Sequence, residues 1–214
     1  MPGARGEFYR SLEAIEAKVI EQFAMIVEDL PRAAQALLGA PRETDQVLAG
    51  RAQVIDALSL EVETLASREV RLQAPVAADL RFLLSVLRVT PELERSHDLV
   101  MQVADRAGLA APGGGLTPRA RALTAQMGDL VGRMWSQAAD AWYQRDRAAA
   151  AALAARAQEI DELHASLAAE LGAGQVTVPA AMETTLVARC YQRLGAHAVN
   201  IARRSAYLAG SAGG

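Results

Sequence analysis

The sequence predicts an all-α protein made of two tandem, pseudo-symmetric three-helix bundles, and three observations carry that reading. Its 214 residues include only two Trp, four Tyr and three Phe, while Ala, Leu, Arg and Glu dominate, a balance that favours helices over the aromatic and β-branched filling of sheets. Apolar residues recur at steps of three and four through six separate segments. A break near the midpoint, Pro112-Gly113-Gly114-Gly115, parts those segments into two sets of three. An all-β fold is excluded on these grounds.

The first helix is expected from Glu7 to Leu38, striped by Leu12, Ile15, Val19, Phe23, Ile26 and Leu30 and crossed by Pro31; Gly39-Ala40-Pro41 ends it. The second, from about 42 to 73, carries Leu48, Ile55, Leu58, Val62 and Leu65 at the same period. Ala74-Pro75 is expected to open the third, with Pro75 in the first turn, where its missing N–H costs nothing. Val76, Leu80, Leu83, Leu87, Met101 and Ala104 stripe that helix to about Ala107, with Pro91 inside it.

Gly108 to Leu116 reads as a flexible linker, and Thr117-Pro118 as an N-cap followed by a helix-starting proline. Three further helices are expected at about 118–144, 146–171 and 178–209, separated by Gln144-Arg145-Asp146 and by Gly172-Ala173-Gly174. The halves repeat one another. Ile55-Asp56-Ala57-Leu58 returns as Ile160-Asp161-Glu162-Leu163 at an offset of 105, and Glu94-Arg95 as Gln192-Arg193 at an offset of 98. The expected units are therefore residues 1–110 and 111–214.

A net charge of −3 argues against a general nucleic-acid binder, which needs a basic surplus to displace counterions from phosphates. Cys190 is the only cysteine, so an intrachain disulfide and a thiolate-built zinc site are both excluded, and the thiol is expected to pack as a small core residue. Met1 to Arg10 contains no apolar run and nowhere do about 18 apolar residues follow one another. The expectation is a soluble, cytoplasmic protein that reaches a membrane only through partners.

Chemistry concentrates in Pro91-Glu92-Leu93-Glu94-Arg95-Ser96-His97-Asp98. Steps of seven from Leu80 reach Leu87, Glu94 and Met101, which places Glu94 in an otherwise apolar row, with Asp98 one turn later on the same side. Asp56 lies beside the stripe of the second helix and can supply a third carboxylate. Acids near an apolar seam repel and lose hydration unless a cation joins them, so a metal ion or a buried arginine is the physical remedy. Oxygen ligands suit Mg, Mn or oxidised Fe; His97, turned inward, adds affinity for softer transition metals such as Zn. The expected ligand set is Asp56, Glu94, Asp98 and His97, against the plainer alternative in which the acids meet water or arginine. Glu94-x-x-His97 is also half of a di-iron carboxylate signature, but no second Glu-x-x-His occurs. No phosphate-binding glycine loop or nucleophile elbow is present, and His164 and His197 are expected to make ordinary hydrogen bonds.

Leu72-Gln73-Ala74-Pro75-Val76-Ala77-Ala78-Asp79-Leu80-Arg81, followed by Leu93-Glu94-Arg95-Ser96-His97-Asp98, resembles the paired motif of the PhoU family of phosphate-transport regulators. Gln192-Arg193-Leu194-Gly195-Ala196-His197-Ala198-Val199-Asn200-Ile201-Ala202 is similar to the motif's second copy. The resemblance implies two three-helix bundles and multinuclear metal clusters on acidic motifs of the second and third helices of each. Carried over, Asp56, Glu94 and Asp98 match in the first repeat and Ala52 departs. In the second only Asp161 matches, since Ala157, Gln192 and Ala196 replace the acids, so at most one metal site is expected, in the first repeat, holding Fe, Zn, Mn or Mg. The lost site is expected to close as bundle core.

The resemblance further implies a non-catalytic regulator that restrains phosphate uptake and phosphate-starvation gene expression. Its partners would be the ATPase subunit of a phosphate importer and a sensor histidine kinase, with a homodimer as the expected assembly. The residues leave two other readings: a carboxylate-bridged metal oxidase or hydrolase on Glu94, His97, Asp98 and Asp56, and a structural helical scaffold.

Overall fold

Six helices form, and no strand does among the described residues, in a computed structural model that describes residues 2–39, 44–113 and 115–210. They are α1 (Pro2–Leu37), α2 (Thr44–Gln73), α3 (Ala77–Ala104), α4 (Pro118–Gln144), α5 (Ala149–Gly172) and α6 (Val178–Leu208). Within the first half α1, α2 and α3 all touch one another, and within the second α4, α5 and α6 do the same. The halves join where α1 meets α4 and α3 meets α6, leaving α2 and α5 on the outside. This is the tandem arrangement the repeat predicts.

The joint between the halves is aromatic. Phe23 of α1 packs against Trp135 and Trp142 of α4, with ring centroids 6.4 and 5.9 Å apart. Both tryptophans are fully buried, and Trp135 Nε1 donates to the Leu194 carbonyl at 3.1 Å. A buried aromatic of this size removes roughly 150–250 Å² from water, which at about 25 cal/mol per Å² contributes roughly 4–6 kcal/mol before entropy is counted. Such anchors make one continuous core across the two repeats.

Capping follows the sequence at α4. Thr117 accepts the Ala120 N–H at 3.0 Å, Pro118 occupies the first turn, and Arg145 ends the helix in the left-handed conformation at φ 57°. Thr117 also donates to Glu170 Oε1 at 2.7 Å, which ties the start of α4 to the end of α5. Helices α1 and α3 run on through Pro31 and Pro91. Among the described residues no helix is long and apolar enough to cross a membrane.

Three expectations need correction. Pro75 lies before α3 rather than in its first turn; a proline disfavours the helical conformation of its predecessor, and Ala74, at φ 43°, turns the chain there. α5 begins at Ala149 rather than 146, because the Asp146 carboxylate takes the Ala148 N–H at 2.7 Å and holds a turn. The segment after α3 is not a free linker. Gly108 N–H donates to the Ala36 carbonyl at 2.8 Å and Ala110 N–H to the Leu37 carbonyl at 2.9 Å, with Ala110 fully buried. Gly39, at φ +101°, allows this approach, since a Cβ there would stand 2.8 Å from the Ala111 methyl. The expected start of α2 near 42, and Gly114 within the glycine run, lie outside the described residues.

Candidate functional site on helix three

The row of α3 that enters the core is Leu83, Val86, Thr90, Leu93, His97 and Val100, all buried and spaced by alternating threes and fours. The row Leu80, Leu87, Glu94 and Met101 is its half-buried flank. His97, not Glu94, is therefore the ionisable residue of α3 that is buried inside the bundle. Its Nε2 lies 3.2 Å from Oδ2 of the fully buried Asp29 on α1. Asp29 Oδ1 in turn accepts from Arg32 Nη1 at 3.0 Å and Arg51 Nη1 at 2.9 Å, and Arg51 also donates to Glu28 Oε2 at 2.8 Å. A buried carboxylate is thus offset by three donors from three helices, the arrangement its desolvation requires. The sequence held the signal: Ile15, Gln22, Asp29 and Ala36 form a heptad row in which Asp29 is as anomalous as Glu94.

Glu94 and Asp98 stand instead on the α2 side of α3. Burial pushes the Glu94 carboxyl above its ordinary range, and the nearby carboxylates of Asp56, Asp98 and Glu63 push the same way, with Arg95 opposing. The three expected acids are therefore near one another, on neighbouring faces of α2 and α3, and Glu63 joins them. Asp56, Glu63 and Asp98 are exposed and Glu94 is half-buried. His97, the fourth expected ligand, is on another face, where its Nε2 faces Asp29 rather than these acids. Among the described residues no three His, Cys, Asp or Glu side chains converge closely enough to hold a metal ion. As arranged here, the acids of α2 and α3 do not form a closed metal centre.

At the corresponding positions the second repeat carries a single acid, Asp161. Gln192 Nε2 donates to Asp161 Oδ1 at 2.6 Å, so a neutral amide satisfies one acceptor of the exposed carboxylate, which keeps its charge. Ala196 is exposed rather than core, because positions 192 and 196 also lie on a flank and not on the seam. Gly195, offset by 98 from His97, faces Ile160 and Met134, which fill the space where repeat one has its histidine.

The opposite flank of α3 packs antiparallel on α6. Ser96 Oγ lies 2.7 Å from His197 Nδ1 and 2.6 Å from the Glu92 carbonyl, within hydrogen-bond reach of both. Asn200 donates to Glu92 Oε1 at 2.9 Å, and Arg106 Nε to Glu183 Oε2 at 2.7 Å. Burial holds the His197 imidazolium below its ordinary pKa, helped by Arg193 and Arg95. Burial likewise raises the Glu92 carboxyl, against the Asn200 hydrogen bond and the charges of Arg204 and Arg95. Cys190 is buried and its thiol pushed up by desolvation, which makes it an inert core residue as expected.

α3 thus carries acids on its α2 side and a polar seam with α6 on the other. Residues 19–107 and 124–205 match the PhoU domain, covering most of both repeats. The chain is 29% identical over 207 residues to the phosphate-specific transport system accessory protein PhoU homolog 2 of Mycobacterium tuberculosis, spanning 96% of this chain and 97% of that one. It is 30% identical over 152 residues to a PhoU homolog of Caulobacter vibrioides, spanning 69% of this chain and 66% of that one. The crystal structure of PhoU from Pseudomonas aeruginosa superposes with a TM-score of 0.85 at 25% identity, covering 94% of this chain and 98% of that one. The phosphate transport system regulatory protein PhoU from Streptococcus pneumoniae shares the fold, with a TM-score of 0.82 at 22% identity over 94% of this chain and 96% of that one.

Proposed function

The chain belongs to the PhoU family, and from that footing we propose that it is a non-enzymatic regulator of phosphate uptake and of phosphate-starvation signalling. It acts by binding two proteins, the ATPase subunit of a phosphate importer and a sensor histidine kinase, from the cytoplasmic side of the membrane. The observation that carries this reading is the match to the PhoU domain in both repeats, together with relatives of nearly equal length named as accessory proteins of phosphate-specific transport.

The side chains are compatible with a binding role. The polar groups of α3 and α6 are spent on one another, in the Ser96–His197 and Glu92–Asn200 pairs, rather than arranged as a nucleophile, a base and an orienting group around an open cavity. The carboxylate-bridged enzyme reading asks for ligands converging from several helices, whereas among the described residues no three candidate ligands converge and His97 faces Asp29. The test is retention of the purified importer ATPase subunit, and separately of the kinase's cytoplasmic portion, on the immobilised chain. Retention of both supports the reading, and retention of neither sinks it.

A further inference from the structure

Among the described residues, Arg88, Arg95, Arg189, Arg193, Arg203 and Arg204 all lie on α3 or α6 and none takes part in an ion pair. All but the half-buried Arg204 are exposed. Ser96 meets His197 at 2.7 Å and Glu92 meets Asn200 at 2.9 Å across the α3–α6 seam. Arg95, next to Ser96, and Arg193 and Arg204, each four residues along α6 from His197 or Asn200, therefore flank that seam, and Arg95 and Arg193 both bear on His197. The offset of 98 that relates α3 to α6 also relates Arg95 to Arg193, which sets this pair symmetrically about the joint of the two repeats. In a chain with a net charge of −3, such a concentration of unpaired cations is a local excess that an outside anion can relieve.

We propose that the α3–α6 ridge is a docking surface for an acidic, amphipathic polypeptide segment, with Arg95 and Arg193 as its central clamp. The proposal rests on the partner-binding reading above and adds where, and to what chemistry, the partner binds. Three features select that occupant. The ridge is two helices wide and bordered by carboxylates, Glu94 and Asp98 on one side and Asp161 on the other, so a narrow strand or helix fits while a flat anionic membrane or a duplex meets repulsion at both edges. Arg88 and Arg95 are seven residues apart, a rise of about 10.5 Å, which matches acids two turns apart on a partner helix. At one end the same face of α6 turns apolar, through Val178, Met182 and Leu186, exposed by 71%, 65% and 47%. Guanidinium groups beside exposed aliphatic side chains complement acids beside aliphatic ones.

The test uses the full chain and a fluorescent helical peptide with glutamates two turns apart and a leucine cluster at one end, followed by anisotropy. The ridge variant is Arg95→Glu with Arg193→Glu; the control is Arg68→Glu with Arg71→Glu on the exposed face of α2, which changes net charge equally. The wild type is expected to bind with an affinity that falls as salt rises, the ridge variant to bind at least about tenfold more weakly, and the control within about twofold of wild type. Should the charge reversals unfold the chain, as circular dichroism would reveal, Arg95→Gln with Arg193→Gln replaces them. Equal weakening in ridge and control variants overturns the proposal, as does wild-type preference for anionic vesicles or duplex DNA over the peptide. The importer ATPase separates this inference from the broader one. ATPase retained equally by wild type and ridge variant overturns the ridge alone, whereas ATPase retained by neither overturns the partner reading and leaves the peptide result to decide the ridge.

Discussion

His97 Nε2 lies 3.2 Å from Asp29 Oδ2 in the interior of the first repeat, and Asp29 binds Arg32 and Arg51 through its other oxygen. This polar link joins α1, α2 and α3 where the second repeat has only Gly195, Ile160 and Met134. Removing the carboxylate strands the donors gathered around it. Asp29→Ala is expected to destabilise the protein by about 3 kcal/mol, the lower end of the range for a broken buried pair, because the Arg32 and Arg51 side chains keep 42% and 25% of their exposure and can turn to water. Chemical denaturation measures it, and a cost below about 1 kcal/mol would show that the network contributes little.

Glu94 is disfavoured as a charged group by burial and by Asp56, Asp98 and Glu63. A carboxyl whose folded pKa is raised weakens the fold above that pKa, and the deficit vanishes as pH falls to the ordinary value of about 4.3. Glu94→Gln is therefore expected to stabilise the chain at neutral pH by about 0.5 kcal/mol, chiefly by removing the repulsion one turn from Asp98, and the gain should disappear at acid pH. Paired thermal melts across pH check it; a loss of stability at pH 7 would mean the carboxylate has a cationic partner.

His197 has the opposite sign of dependence to a histidine with an acidic partner. Its folded pKa is lowered by burial and then by Arg193 and Arg95, so the unfolded chain takes up the proton first. The stability it contributes is complete above about pH 6.5 and is lost as pH falls from there through the lowered folded value. His197→Asn should flatten that part of the stability curve, and high salt should recover only the portion due to the two arginines, leaving the part due to burial. A curve unchanged by the substitution would remove His197 from the account.

The α2–α3 acids are near one another without converging on a point. Protein purified without chelator and then dialysed against metal-free buffer should retain no stoichiometric Fe, Zn, Mn or Mg, and Glu94→Ala should leave the content unchanged. About one equivalent of metal that survives dialysis and is lost in the variant would show that the carboxylates close around an ion.

Much of the fold was legible because its causes are local. Thr117-Pro118 announces the start of α4, and the break at Gln144-Arg145-Asp146 is where Arg145 turns left-handed. The repeat of Asp56 and Glu94 as Asp161 and Gln192 also reads directly, and the structure pairs the latter two. The candidate site was less legible, because period alone says which residues share a face and not which face meets the core. α3 touches α1, α2 and α6, so its Glu94 row and its His97 row are both lined by apolar residues, and only the positions of three neighbours decide which is interior. The partner of His97 lies 68 residues away on α1, beyond any local pattern. Of the arginine ridge the sequence holds only the spacing of Arg88 and Arg95; that α6 doubles it follows from the antiparallel seam of Ser96 with His197 and Glu92 with Asn200.

The central claim, a restraint on the phosphate-starvation response, is tested most directly by a reporter of that response in cells lacking this chain and grown with ample phosphate. The reporter should be constitutively high and return to its low level when the wild-type chain is restored. A reporter that stays low without the chain, and still rises normally on starvation, would contradict the account.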